Sequence, residues 1–308
     1  MKRSVIQLAG RTLLVSLPAK WVDANGVKKG DELELVEDGH KITINTEAKS
    51  AIETATLDAD SVGEQIQRYV FALYKKGIDE IKINYSDPKV ADMIRDTLLS
   101  ETVGYEIVSQ TPKSCTVKLI TSGNMTEFDS LLRRTFLLLL SMSDEMVSSI
   151  KNKDFDHLTK TALLEQPNNR LTTVCRRTIN KWGTESYNKV GPIYYIVEEL
   201  ENISDEYKHF CNNLARIKEA PNKTIRPEIL EILDLTNTVM RAFYETFYKL
   251  DLKKLELITN ARKKIVPVGH DFVEHKKLTP AEFYVLHHSI SIVERVYCMI
   301  GPYLILNN

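Results

Sequence analysis

The sequence has 308 residues, of which 43% are hydrophobic and 27% charged, which is typical of a soluble protein with about two or three domains. The formal net charge of -1 excludes a uniformly basic protein that coats nucleic acid. The four cysteines are far apart and form no Cys-x-x-Cys pair, so neither a disulfide framework nor a zinc ribbon is indicated.

No segment has the features of a secretory signal or a membrane span. The longest apolar run, Phe136 to Leu140, is far shorter than the roughly 20 residues that cross a bilayer. We therefore expect a cytoplasmic protein without membrane insertion. No candidate nucleophile lies in a recognisable activating motif, so we do not predict an enzyme.

The first unit, residues 1–46, combines short alternating apolar segments with turn signals. The pattern predicts a short helix at 18–25 and strands at 3–8, 12–17, 32–37 and 41–45. Asp38 and Gly39 are a strong hairpin signal between the last two strands. A unit of this size is too small to enclose its own core, so it needs a partner.

Three motifs follow one another in this unit: Leu17-Pro18 with Trp21-Val22, the turn Gly26-Val27-Lys28-Lys29-Gly30-Asp31, and Glu37-Asp38-Gly39. In this order they resemble the AbrB/SpoVT/MazE family of swapped-hairpin DNA-binding domains. The resemblance implies that two chains interleave their hairpins into one core, which makes the protein an obligate homodimer. It also implies DNA binding through basic side chains on one face.

The charges of the first unit are segregated along the sequence. Residues 1–30 hold six bases and one acid, Asp23, whereas residues 31–38 hold five acids and no base. Because lysine and arginine attract phosphates, we predict that DNA binding depends on four residues. They are Lys2, Arg3, Arg11 and Lys20, of which Arg3 and Arg11 are expected to flank the first turn. The alternative is an ordinary solvated surface.

The second unit, residues 50–122, alternates strand and helix patterns. The predicted helices span 62–76 and 88–102, and the predicted strands span 51–57, 78–85, 105–109 and 115–120. This is a small α/β domain of βαβαββ type, closed by a turn at Thr111-Pro112-Lys113. No Gly-rich phosphate loop follows its strands, so we interpret it as a connector or sensor.

The third unit, residues 126–308, is predicted to be all helix, with breaks at prolines and glycines. The predicted segments are 128–151, 154–166, 168–182, 192–218, 226–250, 252–266 and 280–306. Pro267-Val268-Gly269 is expected to end the sixth of them. Aligning Glu294 with Glu201 suggests two repeats, so the chain is predicted to be a multidomain α+β protein that ends in a bundle of two three-helix repeats.

The third helix of each predicted repeat carries an acidic segment, Glu201-Asn202-Ile203-Ser204-Asp205 and Glu294-Arg295-Val296-Tyr297-Cys298. These resemble the Glu-Arg-x-x-Asp segment of PhoU, a phosphate-uptake regulator, with Arg replaced by Asn in the first and Asp by Cys in the second. The order of the three units is similar to that of archaeal PhoU-type regulators. The resemblance implies a DNA-binding transcriptional regulator of phosphate homeostasis whose bundle meets a phosphate transporter or signalling protein.

Metal-binding PhoU proteins hold a divalent metal or iron with acidic pairs on two helices. The matching acids here are Glu201 and Asp205, which share one helical face, and Glu165, which is followed by Asn169. In the second repeat the matching positions are Asn260 and Lys264, where a fixed cation opposes metal binding. One alternative for Glu201 and Asp205 is a solvent-facing pair with neighbouring Lys208. Another is pairing between helices with bases such as Arg170, Arg176 or Arg177.

Two further groups are interpreted as structural. Among His270, His275, His287 and His288, the neighbours His287 and His288 point about 100° apart on a helix and are expected not to chelate together. The aromatic pairs Tyr194-Tyr195, Phe243-Tyr244 and Phe247-Tyr248 are expected in the bundle core rather than in a stacking platform for nucleic acid. The alternative functions are an adaptor that controls a phosphate transporter without binding DNA and, more remotely, a metal-dependent enzyme.

Overall fold

The structure is a computed structural model that describes residues 2–38, 41–45, 52–120, 127–183, 187, 189–219, 223–275 and 277–307. The chain divides into two compact units, Met1–Thr54 and Ala55–Asn308. The second unit contains both the α/β sheet and the long helices. The protein is thus a multidomain α+β protein, as predicted.

The N-terminal unit consists of two separate hairpins and one helix. Strand β1 (Val5–Ala9) pairs antiparallel with β2 (Thr12–Val15), and β3 (Glu34–Asp38) pairs antiparallel with β4 (Lys41–Asn45). Helix α1 (Ala19–Asn25) lies between the hairpins in sequence. The pairing of Asp38 with Lys41 confirms the predicted second hairpin, although Gly39 itself lies outside the described residues.

The predicted βαβαββ order of the α/β sheet is confirmed. The elements are β5 (Thr54–Asp58), α2 (Ala59–Val62), α3 (Ile66–Lys76), β6 (Glu80–Asn84), α4 (Lys89–Glu101), β7 (Tyr105–Thr111) and β8 (Ser114–Leu119). The strand order is β5-β6-β8-β7, and β8 runs antiparallel to both of its neighbours. Ile81 and Ile83 alternate along β6 and are fully buried, as expected for a strand covered on one face by helices.

Six long helices and one short helix follow among the described residues. They are α5 (Phe128–Lys151), α6 (Leu158–Thr161), α7 (Glu165–Trp182), α8 (Val190–Ala215), α9 (Pro227–Tyr248), α10 (Leu252–His275) and α11 (Pro280–Asn307). One continuous hydrophobic core joins them. The bounds of α5 were predicted to the residue.

Two of the predicted helix breaks are wrong. Helix α10 continues through Pro267, which is exposed, and Gly269 is buried where a Cβ atom would overlap the Ile290 side chain of α11. This glycine therefore allows close helix packing instead of ending the helix. Pro167 lies in the first turn of α7. Backbone N–H groups in that turn have no intrahelical acceptor, so proline removes no helical hydrogen bond there.

Helix α11 begins with a capping box. The backbone N–H of Glu282 donates to Oγ1 of Thr279 over 3.2 Å, and the backbone N–H of Thr279 donates to Oε2 of Glu282 over 3.0 Å. By length and composition alone, α11 is apolar enough to cross a membrane, although many of its residues belong to the core formed with α8, α9 and α10.

Helix α7 docks on the α/β sheet where α3 ends. Arg177 donates to the carbonyl oxygens of Tyr74 and Ile78 over 2.9 and 2.6 Å. Gly77 follows α3 with φ of 104°, and a Cβ atom there would lie 2.9 Å from Cβ of Lys181. The contact requires glycine both for its backbone conformation and for space.

Candidate nucleic-acid interface

The four predicted DNA-binding residues are all exposed on the N-terminal unit. Lys2 and Arg3 precede β1, Arg11 lies in the turn between β1 and β2, and Lys20 lies in the first turn of α1. The turn at Arg11 is formed by Gly10, with φ of 54°, whose carbonyl oxygen accepts a hydrogen bond from Nε2 of Gln7 over 2.7 Å.

The four residues do not form one cluster. Val15 at the end of β2 pairs with Val5 at the start of β1, so the chain enters and leaves this hairpin at the end near Lys2 and Arg3. Arg11 lies at the other end, roughly 25 Å from Arg3 for an extended strand of that length. The expectation that Arg3 and Arg11 flank the same turn is therefore wrong, because a whole strand separates them.

The first hairpin exposes apolar side chains on both faces. Val5 and Val15 pair across the strands on one face, and Ile6 and Leu14 pair on the other. All are exposed, and Leu13 is 64% exposed. A hairpin that is apolar on both faces is stable in water only when both are covered, and two strands alone are marginal.

The second hairpin exposes apolar side chains on one face. Leu35 pairs with Ile44 and Glu37 with Ile42, so three apolar side chains share one face. Leu35 is 61% and Ile42 64% exposed. Within the described part of this unit, no side chain whose exposure is given is buried. These described side chains therefore form no internal core, which agrees with the small size of the unit.

The Gly-x-x-x-Gly-Asp turn has a local physical basis. Gly26 closes α1 in the left-handed region at φ of 65°, and Gly30 has φ of 101°. Between them, the backbone N–H of Lys28 donates to Oδ2 of Asp31 over 2.7 Å. The motif therefore encodes a tight turn between α1 and β3.

Residues 6–52 match the model of a family described as "Antidote-toxin recognition MazE, bacterial antitoxin". The N-terminal unit is MazE-like. This supports the swapped-hairpin prediction, and MazE/AbrB-like domains commonly bind DNA and dimerise. No curated protein and no solved structure matches the chain.

The second unit contains the predicted acidic cluster of Glu165, Glu201 and Asp205. Lys208 donates to Oε1 of Glu165 over 2.7 Å and to Oδ1 of Asp205 over 2.8 Å. Burial raises the pKa of Glu165 despite the hydrogen bond from Lys208. Burial has the same tendency at Asp205, but hydrogen bonds with Lys208 and Glu165 outweigh it and lower the pKa of Asp205.

Glu201 has a different partner. Its Oε2 atom lies 2.5 Å from Nη1 of Arg176, which also pairs with Glu198 and is almost fully buried. This matches the alternative that Glu201 pairs with a base between helices. The cluster does not fit a divalent metal, because Lys208 already binds two of the carboxylates and Arg176 the third, and we derive no metal chemistry from it.

A cavity of about 370 Å³ adjoins this cluster. Glu101 of α4 contributes to one side, and Glu165, Asn169 and Lys208 to the other. Burial raises the pKa of Glu101. Because its lining residues come from α4 and from helices of the bundle, the cavity lies where the α/β sheet and the bundle meet inside the second unit. Charged side chains form part of its wall.

The structure brings the rings of the neighbouring histidines to the same side of α11. The ring centroids of His287 and His288 lie 4.9 Å apart, and one nitrogen of each ring comes close to a carboxylate oxygen of Glu206. Helical positions differ by about 100°, but rotation about the side-chain bonds brings both rings to the same side. His270 is exposed on α10, and His275 is the last residue of that helix.

The aromatic pairs lie mainly in the core, as predicted. Phe243 and Phe247 are buried and pack on Phe136, with ring centroids 6.2 and 5.1 Å from it. Tyr195 and Tyr248 are partly exposed. The buried contacts of Arg177 and of Glu206 were not predicted, since nothing in the local sequence shows which distant groups a charged side chain will meet.

Proposed function

We propose that the protein is a homodimeric, DNA-binding transcriptional regulator whose helical region receives the regulatory signal. The observation that carries the proposal is the MazE-like unit, with its exposed basic residues and its uncovered apolar hairpins. The family name refers to antitoxins, and the DNA-binding role for this chain rests on the arrangement of its own charges.

A second copy of the chain is the partner that this unit requires. Each hairpin exposes aliphatic side chains that a MazE-like partner hairpin covers, so dimerisation supplies the missing core. Two-fold symmetry then doubles each basic residue. The groups around Arg3 and around Arg11 become four positive regions, which can contact phosphates at several positions along a duplex.

The proposed signal is the state of phosphate uptake. Its support is the resemblance of Glu201-Asn202-Ile203-Ser204-Asp205 and Glu294-Arg295-Val296-Tyr297-Cys298 to the PhoU segment. A phosphate transporter or signalling protein is the proposed partner of the helices. A partner or ligand that prefers one arrangement of the dimer shifts the DNA-binding equilibrium by its difference in affinity.

DNA binding is tested with the full-length protein and genomic DNA fragments at salt concentrations from about 50 to about 300 mM. We expect the affinity to fall with salt, and the double variant Arg3→Ala with Arg11→Ala to flatten the slope of log affinity against log salt. Because each phosphate contact contributes about −0.9 to the slope, a dimer that loses four contacts should have a slope less steep by about 3 to 4.

The matched control is Lys28→Ala with Lys29→Ala, which removes the same charge from exposed positions of the same unit. A slope unchanged by the arginine variant contradicts the proposed interface. An equal change in both variants shows that DNA affinity depends only on the net charge of the unit and not on the positions of the arginines. Mapping DNA occupancy in cells with and without phosphate then tests the proposed signal.

An adaptor without DNA binding is the second candidate function. In it the MazE-like unit serves only to dimerise, which its apolar surface alone would explain. Stable dimers that bind no DNA at low salt, together with copurification of a phosphate transporter, are the results that favour this function.

A further inference from the structure

Three side chains with metal-binding atoms meet where α8 packs against α11. They are Glu206 of α8 and His287 and His288 of α11, and one ligand atom from each lies within 4.8 Å of the other two. Among the residues that the structure describes, this is the one such group of three. It is separate from the acidic cluster around Lys208.

His288 is the most buried member of the group. Its side chain is 3% exposed, its Nδ1 atom lies 2.7 Å from Oε1 of Glu206, and its Nε2 atom forms a 3.1 Å hydrogen bond with the Asn213 amide. The ring of Phe210 stacks on it at 4.9 Å. The imidazole is thus fixed on both edges and on one face.

His287 is the exposed third member of the group. Its side chain is exposed, and its ring stacks on Phe283 at a centroid distance of 6.0 Å. Ligand atoms around tetrahedral zinc, with bonds of about 2.0–2.1 Å, lie about 3.3 Å apart. Closing the group from its present spacing therefore needs a shift of about 1 to 1.5 Å, which the exposed ring can make.

We propose that Glu206, His287 and His288 bind a divalent transition metal of the zinc type. The metal replaces the contact between Nδ1 of His288 and Oε1 of Glu206, and the Asn213 amide turns so that its Oδ1 accepts a hydrogen bond from Nε2–H and fixes the ring. Two imidazoles and one carboxylate favour zinc over magnesium or calcium, which prefer oxygen ligands. Three protein ligands leave one position for water or an external ligand.

The site joins the predicted third helices of the two repeats. Glu206 follows the Glu201–Asp205 segment by one residue, and the histidines precede Glu294 on α11 by two turns. Bound metal therefore cross-links α8 to α11 and stabilises their packing. The inference does not depend on DNA binding by the MazE-like unit.

The experiment measures Zn²⁺ and Co²⁺ binding to the full-length protein after removal of metals with a chelator. We expect one ion per chain and a visible Co²⁺ spectrum typical of tetrahedral coordination. His287→Ala is expected to weaken binding by tenfold or more, since it removes one of three ligands. The His287 side chain is exposed, so this variant keeps the buried pair and the fold, which circular dichroism verifies.

The matched control is His157→Ala, which removes a partly exposed histidine whose Nε2 lies 3.9 Å from Oε2 of Glu145. Unchanged binding in this control supports the proposed site. Equal loss in both variants indicates adventitious binding to surface histidines and overturns it. Equal affinity of the wild type and His287→Ala, or no saturable binding, shows that His288 and Glu206 are only a structural pair and also overturns it.

Discussion

Nη2 of Arg177 lies 2.6 Å from Oδ1 of Asp79, which joins helix α7 to the loop that leads into strand β6. Lys181, one helical turn further on, pairs with the other oxygen of the same carboxylate. The side chains of Arg177 and Lys181 are 4% and 3% exposed. Two cations of the helical region therefore share one acid of the α/β sheet, which holds the two parts of the second unit together.

Asp79→Ala is expected to lower the free energy of unfolding by about 3 kcal/mol, because it leaves two buried cations without this carboxylate. Asp92→Ala is the control, since Asp92 forms an exposed ion pair with Arg95 at 2.7 Å. This substitution should lower the free energy of unfolding by less than about 0.5 kcal/mol. Urea unfolding measures both. Similar losses in the two variants would mean that the buried pair does not stabilise the docking.

Glu282→Gln is expected to destabilise the second unit by about 2 kcal/mol, because a buried carboxylate with several hydrogen bonds is lost. Its oxygens accept from Nε of Arg226 over 2.6 Å and from the backbone of Thr279. Burial alone would raise the pKa of Glu282, but these hydrogen bonds lower it.

The same variant predicts a pH dependence. A carboxylate with a lowered pKa in the folded state stabilises above its unfolded value of about 4.5, and this stability is lost as the pH falls through the folded pKa. The stability difference between wild type and Glu282→Gln should therefore be constant near neutral pH and shrink below about pH 4.5. A difference that grows on acidification contradicts the assignment.

Leu13→Asp is expected to convert the proposed dimer into a monomer of 35.2 kDa, because it places a charge in the apolar surface that we propose a second chain covers. Leu163→Asp is the control, since Leu163 is 71% exposed but belongs to the helical region. Analytical ultracentrifugation distinguishes the two masses. A wild-type monomer, or dissociation by Leu163→Asp alone, would contradict dimerisation through the MazE-like unit.

Cys298 is expected to be the one rapidly reacting thiol of the four. Cys115, Cys175 and Cys211 are buried, and burial raises their pKa values to about 11, about 12 and about 12. Because the thiolate is the reactive form, these three should react slowly with an aromatic disulfide. Stopped-flow absorbance should show one fast thiol per folded chain, none in Cys298→Ser, and four in denaturant.

Much of the fold was predictable because it depends on local patterns. The apolar spacing of α5 and the alternation in β6 identified these elements, since burial of one face imposes the period of the element. The errors occurred at Pro167 and Pro267. A proline shows where a helix loses a hydrogen bond, but whether the helix ends there depends on packing, as the contact between Gly269 and Ile290 shows.

The functional groups were less predictable. The basic residues of the MazE-like unit could be named because charge and exposure follow from the sequence, but the separation of Arg3 from Arg11 required the register of β1 and β2. The acids Glu165 and Asp205 could be named as well. Lys208 could be named as a neighbour of Asp205, but its contact with Glu165 could be assigned only after α7 and α8 were placed side by side.

The sequence by itself determined that the first unit cannot fold alone, because its short apolar strands hold too little surface to bury within one chain. It also determined the α/β pattern and the long amphipathic helices. Only the tertiary structure decided which charges meet: Arg177 with Asp79, Lys208 with two acids, and His288 with Glu206. Helix and strand periods arise from neighbouring residues, whereas an ion pair or metal site depends on the approach of segments far apart in the chain.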